Sequence, residues 1–176
     1  MLKALAIAFT GLLLLPLLLL RAAEERPREY DDVDVQRLLH VPFLAFGGVG
    51  IAGRTSDGEA AFGAIVRKKD SIRFFIAAFE YGDAPARCYA LIALREMDPE
   101  IFRQSLGRVR KNPPKKIMMM HGCVISTAKP ETVYAAIEAG KYAEHLKRHQ
   151  ETAGNVAGDE RLPPSLNRTS KTSGRC

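Results

Sequence analysis

The sequence predicts a mainly α-helical protein: a small domain of antiparallel helix pairs that follows an N-terminal signal peptide or membrane anchor. Three observations lead to this prediction. Apolar residues recur at helical spacing through most of the folded part. Helix-start signals precede several of these stretches. One central stretch is apolar on nearly every side, as expected of a helix buried in the middle of a domain.

Residues 1–22 are predicted to be a targeting segment. Lys3 is followed by a leucine-rich run from Ala4 to Leu20 and then by Ala22 and Ala23. A cation, an apolar run and small residues are the three regions of a secretory signal peptide. We therefore expect an exported protein that is periplasmic, cell-surface or secreted. It stays anchored in the membrane if Leu2–Leu20 is not cleaved.

The rest of the chain divides by composition into three parts. Residues 23–34 are highly charged and are predicted to be a linker, whereas residues 35–149 are predicted to form one α-helical domain. Residues 150–176 are rich in small, polar and basic residues. Because such a segment cannot bury enough apolar surface to offset the entropy of ordering, it is predicted to be a disordered basic tail.

The first helix of the domain is predicted to begin at Ser56, because Glu59 stands three residues later, as in a capping box. Asp70 marks the start of a second helix, which ends at Gly82. Its apolar face follows the i, i+3, i+4, i+7 rule and consists of Ile72, Phe75, Ile76 and Phe79. Alternation within the same stretch also suits a strand.

A third helix, from Asp83 to Met97, is the stretch that is apolar on nearly every side. Asp98 and Pro99 start a fourth, since proline is tolerated in the first turn of a helix. The residues expected to face the core in this fourth helix are Phe102, Leu106 and Val109.

The last part of the domain is less regular. The Pro113-Pro114 pair breaks the chain, and the type of the apolar stretch from Ile117 to Thr127 stays open. Pro130 begins a final helix that Gly140 ends. Residues 142–149 are expected to add no more than a frayed turn or two.

The third and fourth predicted helices contain the motifs Asp83-Ala84-Pro85-Ala86-Arg87, Ala90-Leu91-Ile92-Ala93-Leu94 and Asp98-Pro99-Glu100-Ile101-Phe102. This region, from Asp83 to about Arg110, resembles a HEAT-type repeat, and the region from Ser56 to Tyr81 resembles a degenerate copy. The resemblance implies stacked antiparallel helix pairs that bind other proteins and carry no catalysis. A compact helical bundle is the alternative.

The sequence from Gly48 to Gly53 satisfies the pattern G-x-G-x-x-G. A dinucleotide site requires a helix to start within the glycines, so that its N–H groups meet the pyrophosphate. Here the new helix cap comes only at Ser56. We therefore expect no cofactor, and we interpret the Gly47–Gly53 segment as a loop in which glycines supply φ values that other residues avoid.

Three cysteines follow the targeting segment: Cys88, Cys123 and Cys176. In an oxidising compartment, the two cysteines of the domain are expected to form a Cys88–Cys123 disulfide. Two buried free thiols are the alternative. Cys176 is left free or available for an intermolecular bond.

His121 and Cys123 are the candidates for an enzyme. A histidine beside a cysteine suits a thiol or hydrolytic site, but the two fall short of the ligands that zinc requires. His145 and His149 have the spacing of metal ligands on a helix, although their cationic neighbours repel a metal ion. No metal is therefore expected.

A basic run without acidic residues carries six cations, Arg103, Arg108, Arg110, Lys111, Lys115 and Lys116. It suits either a polyanion-binding patch or a solvated helix end whose charges complement the macrodipole. It lacks the aromatic residues that stack on bases, so no nucleic acid is expected.

The sequence contains no complete catalytic set. Together with the HEAT-like pattern, this favours an exported, non-enzymatic helical scaffold that binds another protein through its helix-pair surfaces. The alternatives from other classes are a small extracytoplasmic enzyme that uses His121 and Cys123, and a polyanion binder that uses the basic run.

Overall fold

A computed structural model describes residues 27–158 of the 176-residue chain, with side chains as far as residue 152. The predicted targeting segment lies outside the described residues, as do most of the predicted tail and Cys176. Within residues 27–158 the chain forms one 3-10 turn at Arg28–Asp31, seven α-helices and four short strands.

The helices are α1 (Val33–Leu39), α2 (Asp57–Val66), α3 (Ser71–Tyr81), α4 (Ala84–Met97), α5 (Pro99–Lys111), α6 (Pro130–Glu138) and α7 (Ala143–Gly158). The strands form two antiparallel hairpins, β1 (Gly48–Val49) with β2 (Arg54–Thr55) and β3 (Ile117–His121) with β4 (Val124–Ala128). The mainly α prediction is therefore confirmed, as is the packing of helices in pairs.

The predicted helix starts agree closely with the structure. Ser56 caps α2, and its hydroxyl accepts a hydrogen bond from the Glu59 N–H at 3.1 Å. Asp98 caps α5 by accepting bonds from two backbone N–H groups. Asp70 precedes α3 as predicted, but its side chain makes no cap bond and its φ is +57°.

Helix α4 is the centre of the domain, and it packs against α3, α5, α6 and α7. Its position explains why it is apolar on nearly every side, because a helix surrounded by other elements has no solvent-exposed face on which polar residues are favoured. From Pro85 to Leu94 every residue but one is buried. The exception is Arg87, which is half-buried.

Helices extend beyond both predicted boundaries of the domain. Asp32, in the predicted linker, caps α1, and the Lys68 ammonium lies 2.9 Å from carboxylate oxygens of both Asp32 and Asp34. At the other end, α7 continues to Gly158, where a frayed turn followed by a disordered tail was expected. The local composition is polar, but packing of Leu146 into the core stabilises this helix.

The stretch from Ile117 to Thr127, whose type the sequence left open, lies in the second hairpin. The turn consists of Gly122 and Cys123, and Gly122 has a φ of +56°. Tight two-residue hairpin turns need positive φ values, which glycine adopts without a steric penalty.

Close packing of α7 on α2 depends on Gly63. A Cβ at this position would lie 2.5 Å from Nδ1 of His149. We predict that Gly63→Ala displaces α7 and lowers the free energy of unfolding by about 1–3 kcal/mol, as overpacking does elsewhere. Urea unfolding monitored by circular dichroism measures the change.

Gly107→Ala is the matched control. Gly107 is exposed on α5, and no atom lies within 4 Å of the position its Cβ would take. Because alanine is the better helix former, this change should stabilise the protein by up to about 1 kcal/mol. Equal unfolding free energies for the two variants would show that α7 does not pack on α2 in this way.

Candidate binding surface at the paired hairpins

The glycine-rich segment forms a β-hairpin. Gly48 and Val49 pair with Thr55 and Arg54, and the turn between the strands uses positive φ values at Gly50 and Gly53. A Cβ at Gly48 would lie 2.9 Å from the carbonyl oxygen of Gly53, so the two arms approach too closely for a side chain there. The glycines therefore serve a tight turn, and the interpretation that they supply unusual φ values is confirmed.

The glycine hairpin meets the turn that carries His121 and Cys123. The N–H of Gly50 donates to the carbonyl of Gly122 at 2.9 Å, and Val49 forms a bridge with Gly122. Two of the segments that the sequence singled out are therefore adjacent in space. We call these two hairpins together the paired hairpins.

Leu44 joins the second hairpin to the domain. Its N–H donates to the Met118 carbonyl at 2.8 Å, and its carbonyl accepts from the Met120 N–H at 3.0 Å. Leu44 thus lies along one edge of β3, while β4 lies along the other. The side chain of Leu44 is buried, so its backbone position is fixed from the core side.

A buried tyrosine holds the next residue. The Tyr89 hydroxyl, in the middle of α4, donates to the Ala45 carbonyl at 2.5 Å and accepts from the Ala45 N–H at 3.0 Å. Burial raises the pKa of Tyr89 to about 12, so the hydroxyl keeps its proton over the whole physiological range. The Tyr89 side chain thus bonds to both the N–H and the C=O of Ala45, which is buried.

Glu59 holds the base of the glycine hairpin. Its carboxylate accepts a bond from the Gly47 N–H at 2.8 Å, although a capping box would direct it to its own helix cap. Glu59 is 4% exposed, so the carboxylate is held inside the protein. Its other oxygen lies 3.6 Å from Nε2 of His149, which is longer than a hydrogen bond.

His145 and His149 project from α7 toward the same region. The ring of His145 stacks on Phe46 with centroids 4.4 Å apart, and His149 meets Phe62 edge-on. Nδ1 of His145 and Nε2 of His149 are buried and have no hydrogen-bond partner among the described residues. Burial lowers the pKa of both histidines.

One edge of β4 is uncovered. Leu44 bonds to Met118 and Met120 on the far edge of β3, so these two residues direct their backbone groups away from β4. Their partners in β4 are Thr127 and Ile125, whose N–H and C=O groups therefore point to the outer edge. Within residues 27–158 no other backbone bonds to this edge.

The paired hairpins expose apolar side chains and cations. Ile51 is fully exposed at the tip of the first hairpin, and Val124 and Ile125 are 66% and 56% exposed on the second. Residues 41–56 and 112–130 contain no acidic residue. Their cations are Arg54, Lys115, Lys116 and Lys129, none of which forms an ion pair with another described residue.

The predicted polyanion patch is divided in the structure. Its three arginines pair with carboxylates: Arg103 with Glu100, Arg108 with Glu80 and Arg110 with Glu138. The hydrogen bond from Arg108 lowers the pKa of Glu80, which keeps that carboxylate charged beside it. Within the described part of the chain, the three lysines of the run, Lys111, Lys115 and Lys116, remain without such partners.

The predicted Cys88–Cys123 disulfide is absent, and both thiols are free. Cys88 is fully buried in α4, where burial raises the pKa of its thiol to about 12. Cys123 is exposed in the hairpin turn beside His121. The prediction rested on both cysteines belonging to the domain, but one of them lies in the core and the other in a turn that is exposed to solvent.

Neither a metal centre nor a relative helps to assign this surface. Among the described side chains, no three His, Cys, Asp or Glu residues are grouped so that they could hold a metal ion. None of the helices in residues 27–158 is both long and apolar enough to cross a bilayer. No protein-family model, curated protein or solved structure matches the chain.

Sequence reasoning missed the open edge of β4 and the buried groups beneath the hairpins. A strand signal was present, because Val124 to Thr127 combines β-branched and polar residues. The role of Tyr89 carried no local signal. It depends on Ala45, which is 44 residues away in the chain.

The two half-buried histidines of α7, His145 and His149, predict a pH dependence of stability. Because their pKa values are lowered in the folded protein, the unfolded chain binds protons more readily as the pH falls. Their contribution is complete well above the ordinary pKa of about 6.5 and is lost as the pH falls below it. Glu59 raises the pKa of both histidines and Glu144 that of His145, whereas Arg148 lowers the pKa of both and Arg67 that of His149.

Urea unfolding at pH 8 and at pH 5.5 measures this dependence. Each histidine is expected to contribute up to about 1.4 kcal/mol per pH unit between its two pKa values. His149→Gln should reduce the difference between the free energies of unfolding at the two pH values. His121→Gln, at an exposed position, is the control and should leave it unchanged. An equal pH response in both variants would contradict the account.

Proposed function

We propose that this chain is an exported, non-enzymatic binding domain, and that it binds an extended, acidic segment of a partner protein along β4. The observation that carries this proposal is the uncovered edge of β4, where Ile125 and Thr127 present unpaired backbone groups. An extended peptide adds to such an edge as a further strand, with backbone hydrogen bonds supplying affinity.

The composition of β4 supports this role. Proteins usually protect an exposed edge strand with charged side chains, proline or a bulge. The strand from Val124 to Ala128 has no charge and no proline, and it pairs with β3 without a bulge. Its apolar residues Val124 and Ile125 are more than half exposed, and they offer contact area to a partner strand.

The surrounding charge selects an acidic partner. Lys116 immediately precedes β3 and Lys129 immediately follows β4, so two cations lie at the same end of this sheet. With Lys115 and Arg54 they leave the paired hairpins positively charged, and residues 41–56 and 112–130 contain no acid to offset them. Complementary charge steers the encounter and fixes the register of the partner segment.

The same charge disfavours a second copy of this chain as the partner. Two β4 strands could pair antiparallel around Ser126. Such a pair would bring two positively charged surfaces together, and like charges across an interface are unfavourable.

The helices form the support for this surface. We propose that α2 with α3 and α4 with α5 act as HEAT-like pairs. The packing of α4 on α5 supports the second pair, and the packing of α3 on α4 joins the two pairs, although α2 packs more extensively on α1 than on α3. Tyr89 and Glu59, which hold the paired hairpins, come from these helices.

The enzyme hypothesis has less support. Cys123 lies in an exposed two-residue turn and His121 precedes that turn. Within the described residues neither side chain forms a hydrogen bond that would orient it for catalysis. A polyanion binder that uses the whole basic run is also less favoured, because its arginines are engaged with carboxylates.

Replacement of Thr127 tests the edge directly. The probe is a fluorescent ten-residue peptide in which valine and threonine alternate and both ends carry glutamate. Thr127→Pro removes an outward N–H without breaking a bond to β3, so we predict roughly tenfold weaker binding in fluorescence anisotropy. Thr127→Ala is the matched control and should bind as the parent does, because it keeps the N–H.

The same titration distinguishes an acidic segment from the other possible partners of the β4 edge. A peptide with lysine in place of glutamate should bind more weakly than the acidic one. Equal binding of the acidic peptide by the proline and alanine variants would overturn the proposal. So would a dimer, seen by sedimentation, that the proline variant alone fails to form, since a second copy would then occupy the edge.

A further inference from the structure

Two adjoining cavities lie at the N-terminal end of α4, apart from the paired hairpins. They have volumes of about 250 Å³ and about 230 Å³, and they share Arg87 and Asn112 in their walls. Arg108 and Lys111 line the first, and Tyr134 lines the second. Hydrogen-bond donors from three elements therefore converge on a small space.

Arg87 is held at the junction of the two cavities. Its Nε donates to the carbonyl of Gly82 at 2.9 Å, which fixes the plane of the guanidinium group. The two terminal nitrogens make no hydrogen bond or ion pair with any other described residue. A guanidinium held in this way presents a fixed fork that matches the geometry of a carboxylate or phosphate.

Tyr134 and Asn112 add donors without partners. Tyr134 is 2% exposed, yet within residues 27–158 no group bonds to its hydroxyl, and the same holds for the side-chain amide of Asn112. The Tyr134 hydroxyl keeps contact with solvent in the second cavity, so it is free to donate a hydrogen bond to an acceptor bound there. Burial raises the pKa of Tyr134 to about 12, so this hydroxyl remains a donor.

Two acidic residues line the cavities. Arg108 bonds to both carboxylate oxygens of Glu80, whereas Asp83 is exposed, lies 3.2 Å from the ring of His40, and leaves one negative charge in the wall of the second cavity. Arg87 and Lys111 are the cations of the cavities that have no carboxylate partner among the described residues. Both cavities are smaller than typical sites for nucleotides or drug-sized molecules, which need about 300–1,000 Å³.

We propose that the cavity around Arg87, Asn112 and Tyr134 binds one oxyanion group, a phosphate or a carboxylate. The group accepts bonds from the guanidinium fork, the amide and the hydroxyl, and Lys111 contributes charge from the adjoining cavity. This site is independent of the β4 edge, because it shares no residue with the paired hairpins.

Titration of the isotopically labelled protein with inorganic phosphate and, separately, with succinate tests the proposal by NMR. The amide signals of residues around Arg87 should shift in a saturable manner with at least one of the two anions. Tighter binding of phosphate identifies a phosphate site, and tighter binding of succinate identifies a carboxylate site. No saturable shift with either anion up to about 50 mM would overturn the proposal, since the affinity would fall below about 2 kcal/mol.

Arg87→Met should weaken binding at least tenfold. Arg103→Met is the matched control, because Arg103 is exposed on α5 and pairs with Glu100 outside the cavities. Tyr134→Phe and Asn112→Ala leave the Gly82 bond of Arg87 intact, and each should weaken binding severalfold while the protein stays folded. Undiminished binding in these two variants, or equal loss in Arg103→Met, would contradict the assignment.

Discussion

The Tyr89 hydroxyl is the contact on which the exposed surface depends. It comes from the most buried helix of the domain and satisfies both backbone groups of Ala45. Leu44, the preceding residue, can then lie along β3 and bond to Met118 and Met120. Without this hydroxyl, the buried Ala45 N–H would lose its partner, at a cost of about 1–3 kcal/mol, whereas the Ala45 carbonyl would keep the longer bond of 3.4 Å from the Ser56 hydroxyl. One side chain thus links the helical core to the paired hairpins.

The surface combines a rigid base with an open edge. Glu59 holds the first hairpin through Gly47, and the Gly50–Gly122 bond joins the two hairpins at their turns. Because backbone hydrogen bonds hold the hairpins, their side chains stay free to be apolar or cationic. A binding edge on rigid support loses little entropy when a partner strand adds to it. A helical scaffold and a strand-binding surface are therefore compatible in one small domain.

Helices were predictable from sequence where local chemistry determines them. Ser56 and Asp98 are strong helix caps, and the apolar pattern of α4 reflects its central position. The end of α7 was not predictable, because tertiary packing stabilises a helix whose local composition is polar. The Cys88–Cys123 bridge failed for a similar reason: spacing along the chain does not show that one thiol lies in the core and the other at an exposed turn. Likewise, the open edge follows from Leu44 covering the opposite side of β3, and that contact links segments more than seventy residues apart.

Hydrogen exchange in Tyr89→Phe tests the central claim most directly. The Leu44 and Met120 amides bond across the junction between the core and the second hairpin. If Tyr89 holds this junction, their exchange should be accelerated at least about tenfold in the variant, corresponding to about 1.4 kcal/mol, while the amides of α4 and α5 stay protected. Tyr134→Phe, which removes a hydroxyl that bonds to no described residue, should leave the Leu44 and Met120 amides unchanged. Unaltered protection of these two amides in Tyr89→Phe would contradict the account.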